Sequence, residues 1–272
     1  MAPEQGRSLK RWVEDPGWRG RIGFISPPAL SIDPMEFLRI APEGFAVCQT
    51  MTHIPNFKVR TETIAQAVRQ VEDCAMTLKD AGVDLVAQSG TPFSFVVEGG
   101  LAFSRDLHAR IEKATGLPLV MMGLAVINAV KAQGYKSVAV ACTYYTDDMA
   151  NKYTRFFKDA GIEVLGMENW LSQGFFDNQE EIDRALVRRV PLSYTYNAAR
   201  LVAAHAPAAE CIVVSGGGVV TMDILDPLEQ DLGKPVISSL SAQFWDIFAR
   251  LGVGEPIEGR GGLLASLGQG KK

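Results

Sequence analysis

Two Ser-Gly pairs, each at the end of an apolar run, are the residues of this 272-residue chain best placed to do chemistry. Ser89-Gly90 follows the run VDLVAQ, and Ser215-Gly216 follows the run CIVV. Each run predicts a buried parallel strand that ends at a glycine turn, where free main-chain N–H groups point outward and can bind carboxylates or phosphates. Two such turns at matching places in the two halves predict one anion site.

Alternating strands and helices are predicted to position these turns. The predicted strands begin near residues 21, 44, 83, 118, 137, 162, 211 and 234. The predicted helices span 61–82, 104–115, 124–133, a segment ending at 161, 186–204, 226–232 and 242–252. In both halves, a strand with a polar end precedes a strand that ends in Ser-Gly, which favours an α/β fold of two pseudo-symmetric lobes with mainly parallel sheets. We expect one lobe over 1–119 plus 238–272 and the other over 120–237, with the site in the cleft between them.

Composition excludes several classes of partner. Lys and Arg number 27 against 31 Asp and Glu, and no basic run accompanies this balance, so we expect no nucleic-acid partner. The polar N-terminal segment has no apolar core of a signal peptide, and no run reaches membrane-spanning length. The four cysteines show no CxxC spacing, which argues against disulfides and bound metals. We expect a reduced, cytoplasmic protein without metal or organic cofactor.

Two common motif classes are missing. The segment GGGVVT lacks the lysine of a P-loop, and no GxGxxG stands before an acidic residue at the usual distance, so nucleotide binding has little support. No GxSxG elbow surrounds Ser89 or Ser215, which argues against a hydrolase triad. The pair Asp147 and Asp148 is interpreted as the start of a helix, where acidic side chains favour the helix dipole.

A long segment carries a family resemblance. SGGGVVTMDILDPLEQDLGKPVISSLSAQFWD, from Ser215 to Asp246, resembles the C-terminal signature of the arylmalonate decarboxylases, and SGTPFSF and YTDD support it. These enzymes belong to the aspartate/glutamate racemase superfamily, with maleate isomerases and hydantoin racemases. The resemblance extends from Gly23 to about Asp246 and implies a racemase-like architecture.

At two positions the chain departs from the cysteine pattern of this superfamily. The resemblance implies that racemases carry a cysteine at each strand-end turn and that the decarboxylases keep the second one. In this chain the two positions are Gly90 and Gly216. Because inversion at carbon needs an acid and a base on opposite faces, a two-base racemase is not expected.

The resemblance also implies a carboxylate cradle. Its donors would be Thr91, the Tyr145 hydroxyl and the main chain at Gly216 and Gly217, which would stabilise the enediolate that remains when CO₂ departs. Fixed donors aimed at a developing oxyanion contribute about 3 kcal/mol each. Pro92 replaces a serine of the pattern, so one hydroxyl and one N–H are lost, and we expect a weaker or differently aimed cradle.

Four apolar residues map onto the pocket that receives the departing carboxylate in the family. They are Phe57, Val59, Ile64 and Phe175. An apolar wall raises the energy of a carboxylate relative to a delocalised transition state. The alternative is that these residues belong to the core.

The group that returns a proton to the product carbon is open at this stage. His53 is the first candidate, because imidazole titrates near neutral pH; the alternative is a loop histidine bound to main chain or water. Cys142, Ser89 and Ser215 follow, although a thiol on an apolar strand is usually inert. Lys58 and Arg60 are expected to pair with a second carboxylate or to point to solvent.

The predicted function is a cofactor-independent carbon–carbon lyase, a decarboxylase of a small aryl-substituted carboxylic or malonate-type acid. Two alternatives remain. One is a cofactor-independent isomerase of a small unsaturated diacid, and the other is a non-catalytic relative that binds carboxylates. The expected partner is a small-molecule carboxylate, and the oligomeric state is left open.

Overall fold

The computed structural model describes residues 16–29, 32–188 and 190–269. In this part of the chain, eight strands form two four-stranded sheets in which every pairing is parallel. The first sheet contains β1 (Gly20–Ser26), β2 (Phe45–Met51), β3 (Leu85–Gln88) and β4 (Leu119–Met121). The second contains β5 (Ser137–Ala141), β6 (Glu163–Glu168), β7 (Cys211–Val214) and β8 (Val236–Ser238).

The two sheets have matching strand orders, β2-β1-β3-β4 and β6-β5-β7-β8. The strands β3 and β7 occupy equivalent places, and the two Ser-Gly pairs follow them directly. All residues of β3, β5 and β7 are buried, as expected for parallel strands that are covered on both faces. The predicted α/β fold with two related parallel sheets is confirmed, whereas the predicted domain boundaries stay a prediction.

Helices cover the sheets. They are α1 (Asp33–Ile40), α2 (Thr61–Val68), α3 (Val71–Asp80), α4 (Gly100–Thr115), α5 (Met122–Ala132), α6 (Asp147–Asp159), α7 (Gln179–Arg188), α8 (Leu192–His205), α9 (Leu225–Leu232), α10 (Ser239–Arg250) and α11 (Gly262–Ala265), with a 3₁₀ turn at Thr91–Ser94. Among the described residues, no helix combines the length and the apolar character required to cross a bilayer. The N-terminal residues 1–15, for which no signal peptide was expected, lie outside the described part.

Two predicted helices are wrong because each is a pair. The segment 61–82 breaks between α2 and α3, where the Gln70 side chain bonds both main-chain groups of His53, at 2.8 and 2.9 Å. The segment 186–204 breaks at Pro191, which precedes α8. Proline inside a helix removes a hydrogen bond and clashes with the preceding turn, so α7 and α8 are separate elements.

Helix α10 joins the two sheets. It packs on α5 and also contacts β3, β4 and β8, so it touches both halves. It begins with a capping box in which Ser238 accepts from the Ser241 main-chain N–H at 3.0 Å and the Ser241 side chain accepts from the Ser238 N–H at 2.9 Å. This cap sets the first helical residue, Ser239, between the two glycine turns.

Candidate active site

A cavity of about 30 Å³ lies where the carboxyl ends of the central strands of both sheets meet. Its walls come from the segments after β1, β3, β5 and β7 and from α1 and the loop before α2. The lining residues are Pro27, Ala29, Asp33, Phe57, Val59, Ile64, Gly90, Pro92, Phe93, Tyr144, Gly217 and Gly218. This is the edge at which open α/β sheets bind ligands.

The small cavity adjoins a larger cleft of about 820 Å³. Ala29, Phe57, Val59 and Gly218 line both spaces. The inner space has room for one small group, about the volume of a water molecule, while the outer cleft has the size of small-molecule pockets. A ligand with a carboxylate at one end and a bulky group at the other fits this pair of spaces.

The two glycine turns face this site together. Gly90, with φ of +92°, and Gly217 line the same cavity. Within the described residues, the main-chain N–H groups of Gly216 and Gly217 donate to no protein acceptor, while the N–H of Gly218 donates to the Tyr144 hydroxyl at 3.2 Å. Buried N–H groups are nearly always paired, so two unpaired donors beside a cavity are suited to an anionic ligand.

The Tyr144 ring occupies the space beside Gly216. A Cβ atom on Gly216 would lie 2.5 Å from Thr143 Oγ1 and 2.8 Å from Tyr144 Cε1, and the φ of Gly216 is +133°. Thr143 has a φ of +45°, which is rare for a β-branched residue, and its hydroxyl donates to the Ser215 carbonyl at 2.6 Å. This strained turn directs Tyr144 into the cavity, so Gly216 has no room for a side chain.

The sequence did not single out Tyr144 or Thr143. Two adjacent tyrosines in the string CTYYTDD were the available signal, and only Tyr145 was chosen. The structure places the second tyrosine behind the cavity wall, where its ring contacts Phe95 and Tyr153. Which of two neighbouring rings enters a pocket depends on the main-chain angle before them, and no local residue pattern announced the φ of Thr143.

The predicted cradle hydroxyls of Thr91 and Tyr145 are fully buried and do not line the cavity. Thr91 Oγ1 donates to Ser239 Oγ at 2.8 Å. The Tyr145 hydroxyl faces Thr91 without a hydrogen-bond partner of good geometry, and burial raises its pKa well above the ordinary value. A buried phenol with no acceptor costs free energy unless a ligand supplies one.

Asp33 is the residue that sequence reasoning missed. It is 2% exposed, lines the cavity, and its Oδ1 has no hydrogen-bond partner within the described part. The Ser89 hydroxyl, also unpaired, lies beside it. Burial raises the pKa of Asp33 to about 7, and interactions with its own main chain and Ser89 offset this only in part. No helix was predicted over 33–40, so the sequence pattern gave no reason to place this carboxyl at the strand ends.

Three of the four predicted pocket residues line the cavity, namely Phe57, Val59 and Ile64. Phe175 does not, and its predicted pocket role is corrected. It faces a separate groove of about 660 Å³, and its ring packs against Tyr194 at 5.5 Å between centroids. The fourth large apolar side chain of the wall is instead Phe93, which is 2% exposed.

The first-choice proton donor is also misplaced. His53 is exposed, lies outside the cavity, and its main chain is held by Gln70. The position supports the alternative of a loop histidine. His53 lies outside the cavity because Gln70, at the break between α2 and α3, binds the main chain of its loop.

The remaining donor candidates are occupied elsewhere. Ser215 Oγ donates to the Tyr153 hydroxyl at 3.0 Å, and Ser239 Oγ contacts Ser215 Oγ at 3.5 Å. Cys142 is fully buried beside the Glu168 carbonyl, and burial raises the pKa of its thiol. No cysteine lines the cavity.

Helix α7 covers the outer cleft. Arg60 donates to both carboxylate oxygens of Asp183, at 3.0 and 2.7 Å, and Lys58 lies 3.8 Å from the same carboxylate. The Gln179 side chain adds a 3.3 Å bond to the Tyr144 carbonyl. Arg60 was expected to meet a second carboxylate or solvent, and the structure corrects this to an ion pair that ties α7 to the pocket loop.

Comparisons with known proteins agree with this geometry. The arylmalonate decarboxylase family model matches residues 22–264. The chain is 31% identical over 233 residues to arylmalonate decarboxylase of Bordetella bronchiseptica, covering 86% of this chain and 91% of that protein. A crystal structure of a liganded arylmalonate decarboxylase double mutant has a TM-score of 0.78 at 28% identity and covers 90% of this chain and 98% of that one.

A second group of structures shares the fold. Maleate isomerase of Pseudomonas putida S16 has a TM-score of 0.77 at 21% identity and covers 91% of this chain and 99% of its own. The predicted superfamily relationship and the decarboxylase class of enzyme are confirmed by these likenesses. The chain belongs to the arylmalonate decarboxylase family.

Proposed function

We propose that this protein decarboxylates a small aryl-substituted malonate-type acid without a cofactor. The observation that carries the proposal is the pair of unpaired N–H groups on Gly216 and Gly217 beside a buried cavity with an apolar wall. Hydrogen-bond donors lie on one side of the site and apolar side chains on the other, so the two carboxylates of one substrate lie in different surroundings. Decarboxylation requires this difference, because one carboxylate stays and the other leaves.

The retained carboxylate binds at the strand-end donors. The N–H groups of Gly216 and Gly217 offer two hydrogen bonds. The family resemblance adds the Tyr145 hydroxyl, which is buried behind the cavity wall near Thr91 and lacks an acceptor within the described part. As the carbon–carbon bond breaks, its electron pair moves onto the α-carbon and into this carboxylate, which becomes an enediolate. Each donor aimed at the growing charge contributes about 3 kcal/mol to the transition state.

The departing carboxylate faces Phe57, Val59, Ile64 and Phe93. These side chains offer no hydrogen bond, so a charged carboxylate held there is less stable than in water, while neutral CO₂ is not disfavoured. The aryl substituent extends into the outer cleft, whose walls include Ile32, Leu186 and Val187. Burial of an aromatic ring there supplies binding energy that positions the reacting bond.

The glycines at positions 90 and 216 argue against the other chemistries of this fold. Neither has a side chain, and no cysteine lines the cavity, so a two-base racemisation and a thiol addition to a double bond both lack their groups. We therefore place decarboxylation ahead of diacid isomerisation. A receptor that binds carboxylates without turnover is the remaining alternative.

A substrate panel tests the proposal. Purified protein is mixed with phenylmalonate and with maleate, and CO₂, phenylacetate and fumarate are measured. We expect phenylmalonate to yield equal amounts of CO₂ and phenylacetate, and maleate to be unchanged. Tight binding of phenylacetate without release of CO₂ from phenylmalonate would favour the receptor. Formation of fumarate would favour the isomerase.

The expected partner of this site is a small carboxylate. We also propose a cytoplasmic location, on the composition and on the four free cysteines.

A further inference from the structure

We propose that Asp33 delivers the proton to the α-carbon after CO₂ has left, in place of the thiol that the family resemblance implies at position 216. This inference rests on the proposed decarboxylation and names its acid. Among the residues that the structure describes, Asp33 is the one that brings a carboxyl group to the inner cavity. If the retained carboxylate occupies that small cavity and meets the Gly217 turn, the reacting carbon lies where the cavity adjoins the outer cleft.

The position of Asp33 relative to the glycine turn is the first support. Its Oδ1 lies 3.5 Å from the point where a Cβ on Gly217 would stand, next to the Met122 side chain at 3.1 Å, so the carboxyl group lies beside the second glycine turn. Gly90, Pro92 and Tyr144 complete the inner space around it. An acid must reach its target atom within about 3 Å, and a ligand between Asp33 and Gly217 meets that condition.

The unpaired state of the carboxyl group is the second support. Oδ1 is buried and makes no hydrogen bond of good geometry among the described residues. The Ser89 hydroxyl beside it makes none either, although the two groups interact. Native proteins rarely leave two such groups side by side, and sites that bind or react are the usual exception. A ligand in the cavity would meet both groups.

The local fold holds Asp33 in place. Asp33 is the first residue of α1, and Pro34 in the next position fixes the main-chain angle of this turn. One turn later Phe37 is fully buried, with rings of Phe24 and Phe248 at 5.7 and 5.2 Å. This anchor makes Asp33 a fixed group rather than a mobile one, which positions it for proton transfer.

Burial keeps a large share of Asp33 protonated near neutral pH. Burial raises its pKa to about 7. From the loop after β5 the Tyr144 phenol faces it, and burial raises the pKa of that phenol too, so it adds no charge. On its own helix Glu36 has a raised pKa and lies 3.5 Å from Arg39. A neutral Asp33 accepts a dianionic substrate without repulsion and has a proton to give.

Three cations near the site meet carboxylates. Arg60 and Lys58 both meet Asp183, and Arg39 binds Asp223 at 2.7 Å. Glu180 and Arg184 also line the outer cleft. Among the described residues no cation lines the inner cavity, so no ionised partner there holds Asp33 as a carboxylate.

The proposed step balances. Loss of CO₂ leaves an electron pair on the α-carbon, delocalised into the retained carboxylate. The Asp33 O–H bond breaks, the proton joins the α-carbon through that pair, and Asp33 becomes a carboxylate. Water from the outer cleft then returns a proton to Asp33. The net reaction consumes one proton and yields the aryl acetate and CO₂.

The test compares Asp33→Asn with Glu36→Gln. Both remove a buried carboxyl from α1, but Glu36 lies outside the cavity. With phenylmalonate we expect Asp33→Asn to lower kcat by about 100-fold or more, the usual contribution of a general acid, and Glu36→Gln to leave it within about twofold of wild type. Phenylacetate should bind both variants with Kd within about threefold of wild type, which shows that the fold and the cradle persist.

The pH profile separates acid catalysis from a structural role. Since the protonated form of Asp33 is the donor, wild-type kcat/KM, which reports the free enzyme, should fall as pH rises through about 7, and Asp33→Asn should lose this limb. Retained turnover in Asp33→Asn with an unchanged profile would overturn the proposal. Parallel loss of phenylacetate binding would do the same, because it would indicate a collapsed site.

A titration tests the assignment of Asp33 to the site even if phenylmalonate is not a substrate. A wild-type protein that releases no CO₂ defeats the proposed function, and the carboxyl of Asp33 is then followed by ¹³C NMR with and without phenylacetate. We expect the bound anion to move the midpoint upward by about one pH unit, as a neighbouring negative charge does. An unmoved midpoint would overturn the assignment of Asp33 to the site.

Discussion

Among the buried polar groups that lack a hydrogen bond of good geometry within the described part, the Tyr145 hydroxyl and Asp33 Oδ1 bear most directly on chemistry. A buried group without a hydrogen bond destabilises the folded chain by about 1–3 kcal/mol. A ligand that supplies a partner to either group offsets this cost. Residue-level predictions follow from removing each in turn.

Removal of the Tyr145 hydroxyl tests the cradle. Tyr145→Phe keeps the ring contacts with Phe95 and Tyr153 but deletes the donor, and we expect kcat for phenylmalonate to fall by about 100-fold, as for other oxyanion donors. Stability should stay equal or rise, since the hydroxyl has no partner to lose. Tyr196→Phe on α8, whose hydroxyl bonds Asp231 far from the cavity, is the control. Steady-state kinetics and thermal melting are the measurements, and unchanged kcat in Tyr145→Phe would contradict the cradle.

The raised pKa of Asp33 predicts a pH-dependent stability. In the unfolded chain the carboxyl titrates near 3.8, and in the folded protein near 7, so the folded state binds more protons between these values. The free energy of unfolding should therefore fall as pH rises from 4 to 7, by at most about 4 kcal/mol for a shift of about three units. Urea denaturation at pH 5 and pH 8 measures this. Asp33→Asn should remove the dependence, and an identical difference in both proteins would contradict it.

At the scale of elements, the turns after the strands decide which side chains the cavity receives. The segment after β5 reverses at Thr143 and sends Tyr144 inward, and the turn after β7 leaves no room at Gly216. We expect Gly216→Ala to destabilise the fold by more than about 3 kcal/mol, the sum of positive-φ strain and steric overlap.

The matched control for that turn is Gly82→Ala. Its φ is +75° and a Cβ there would meet nothing within 4 Å, so only the strain of about 1–2 kcal/mol applies. Denaturation with urea compares the two variants. Equal destabilisation of Gly216→Ala and Gly82→Ala would show that Thr143 and Tyr144 move aside at little cost in free energy. The same overlap predicts that Gly216→Cys alone does not install a working thiol.

Helix α7 is held over the outer cleft by the Arg60–Asp183 pair. A half-buried bidentate pair is worth about 1 kcal/mol, so Asp183→Asn should raise KM for phenylmalonate about fivefold and leave kcat within about twofold. Asp106→Asn, which breaks an exposed pair with Arg110 elsewhere, is the control. A loss of kcat without a change in KM would show that α7 positions the reacting groups directly.

At the scale of the molecule, α10 connects the two sheets at the site. Ser239 accepts from Thr91 of the first turn and contacts Ser215 of the second. We expect Ser239→Ala to lower the free energy of unfolding by about 1–2 kcal/mol, because the Thr91 hydroxyl loses its acceptor in the buried interior. Ser266→Ala, near the C-terminus and half-buried, is the control. Chemical denaturation is the measurement, and no change in Ser239→Ala would show that the halves meet by packing alone.

The sequence by itself determined the strand and helix order, both glycine turns, the family and most of the apolar wall. These features depend on local periodicity and on short runs such as VDLVAQSG and CIVVSGGG, which carry their own signal. It also predicted that Gly90 and Gly216 lack a proton-bearing side chain. The breaks within the two long predicted helices were not predicted. Pro191 stands in the sequence, but the apolar pattern on both sides of it favoured one continuous helix.

Only the tertiary structure decided which side chains meet at the cavity. His53 and Phe175 carry suitable chemistry but are held elsewhere, by Gln70 and by Tyr194, and nothing within a few residues of them indicated this. Asp33 and Tyr144 enter the site because α1 is anchored through Phe37 and because Thr143 adopts a positive φ. Burial, which sets the pKa of Asp33, arises from contacts between segments far apart in the chain, and the order of the residues does not display those contacts.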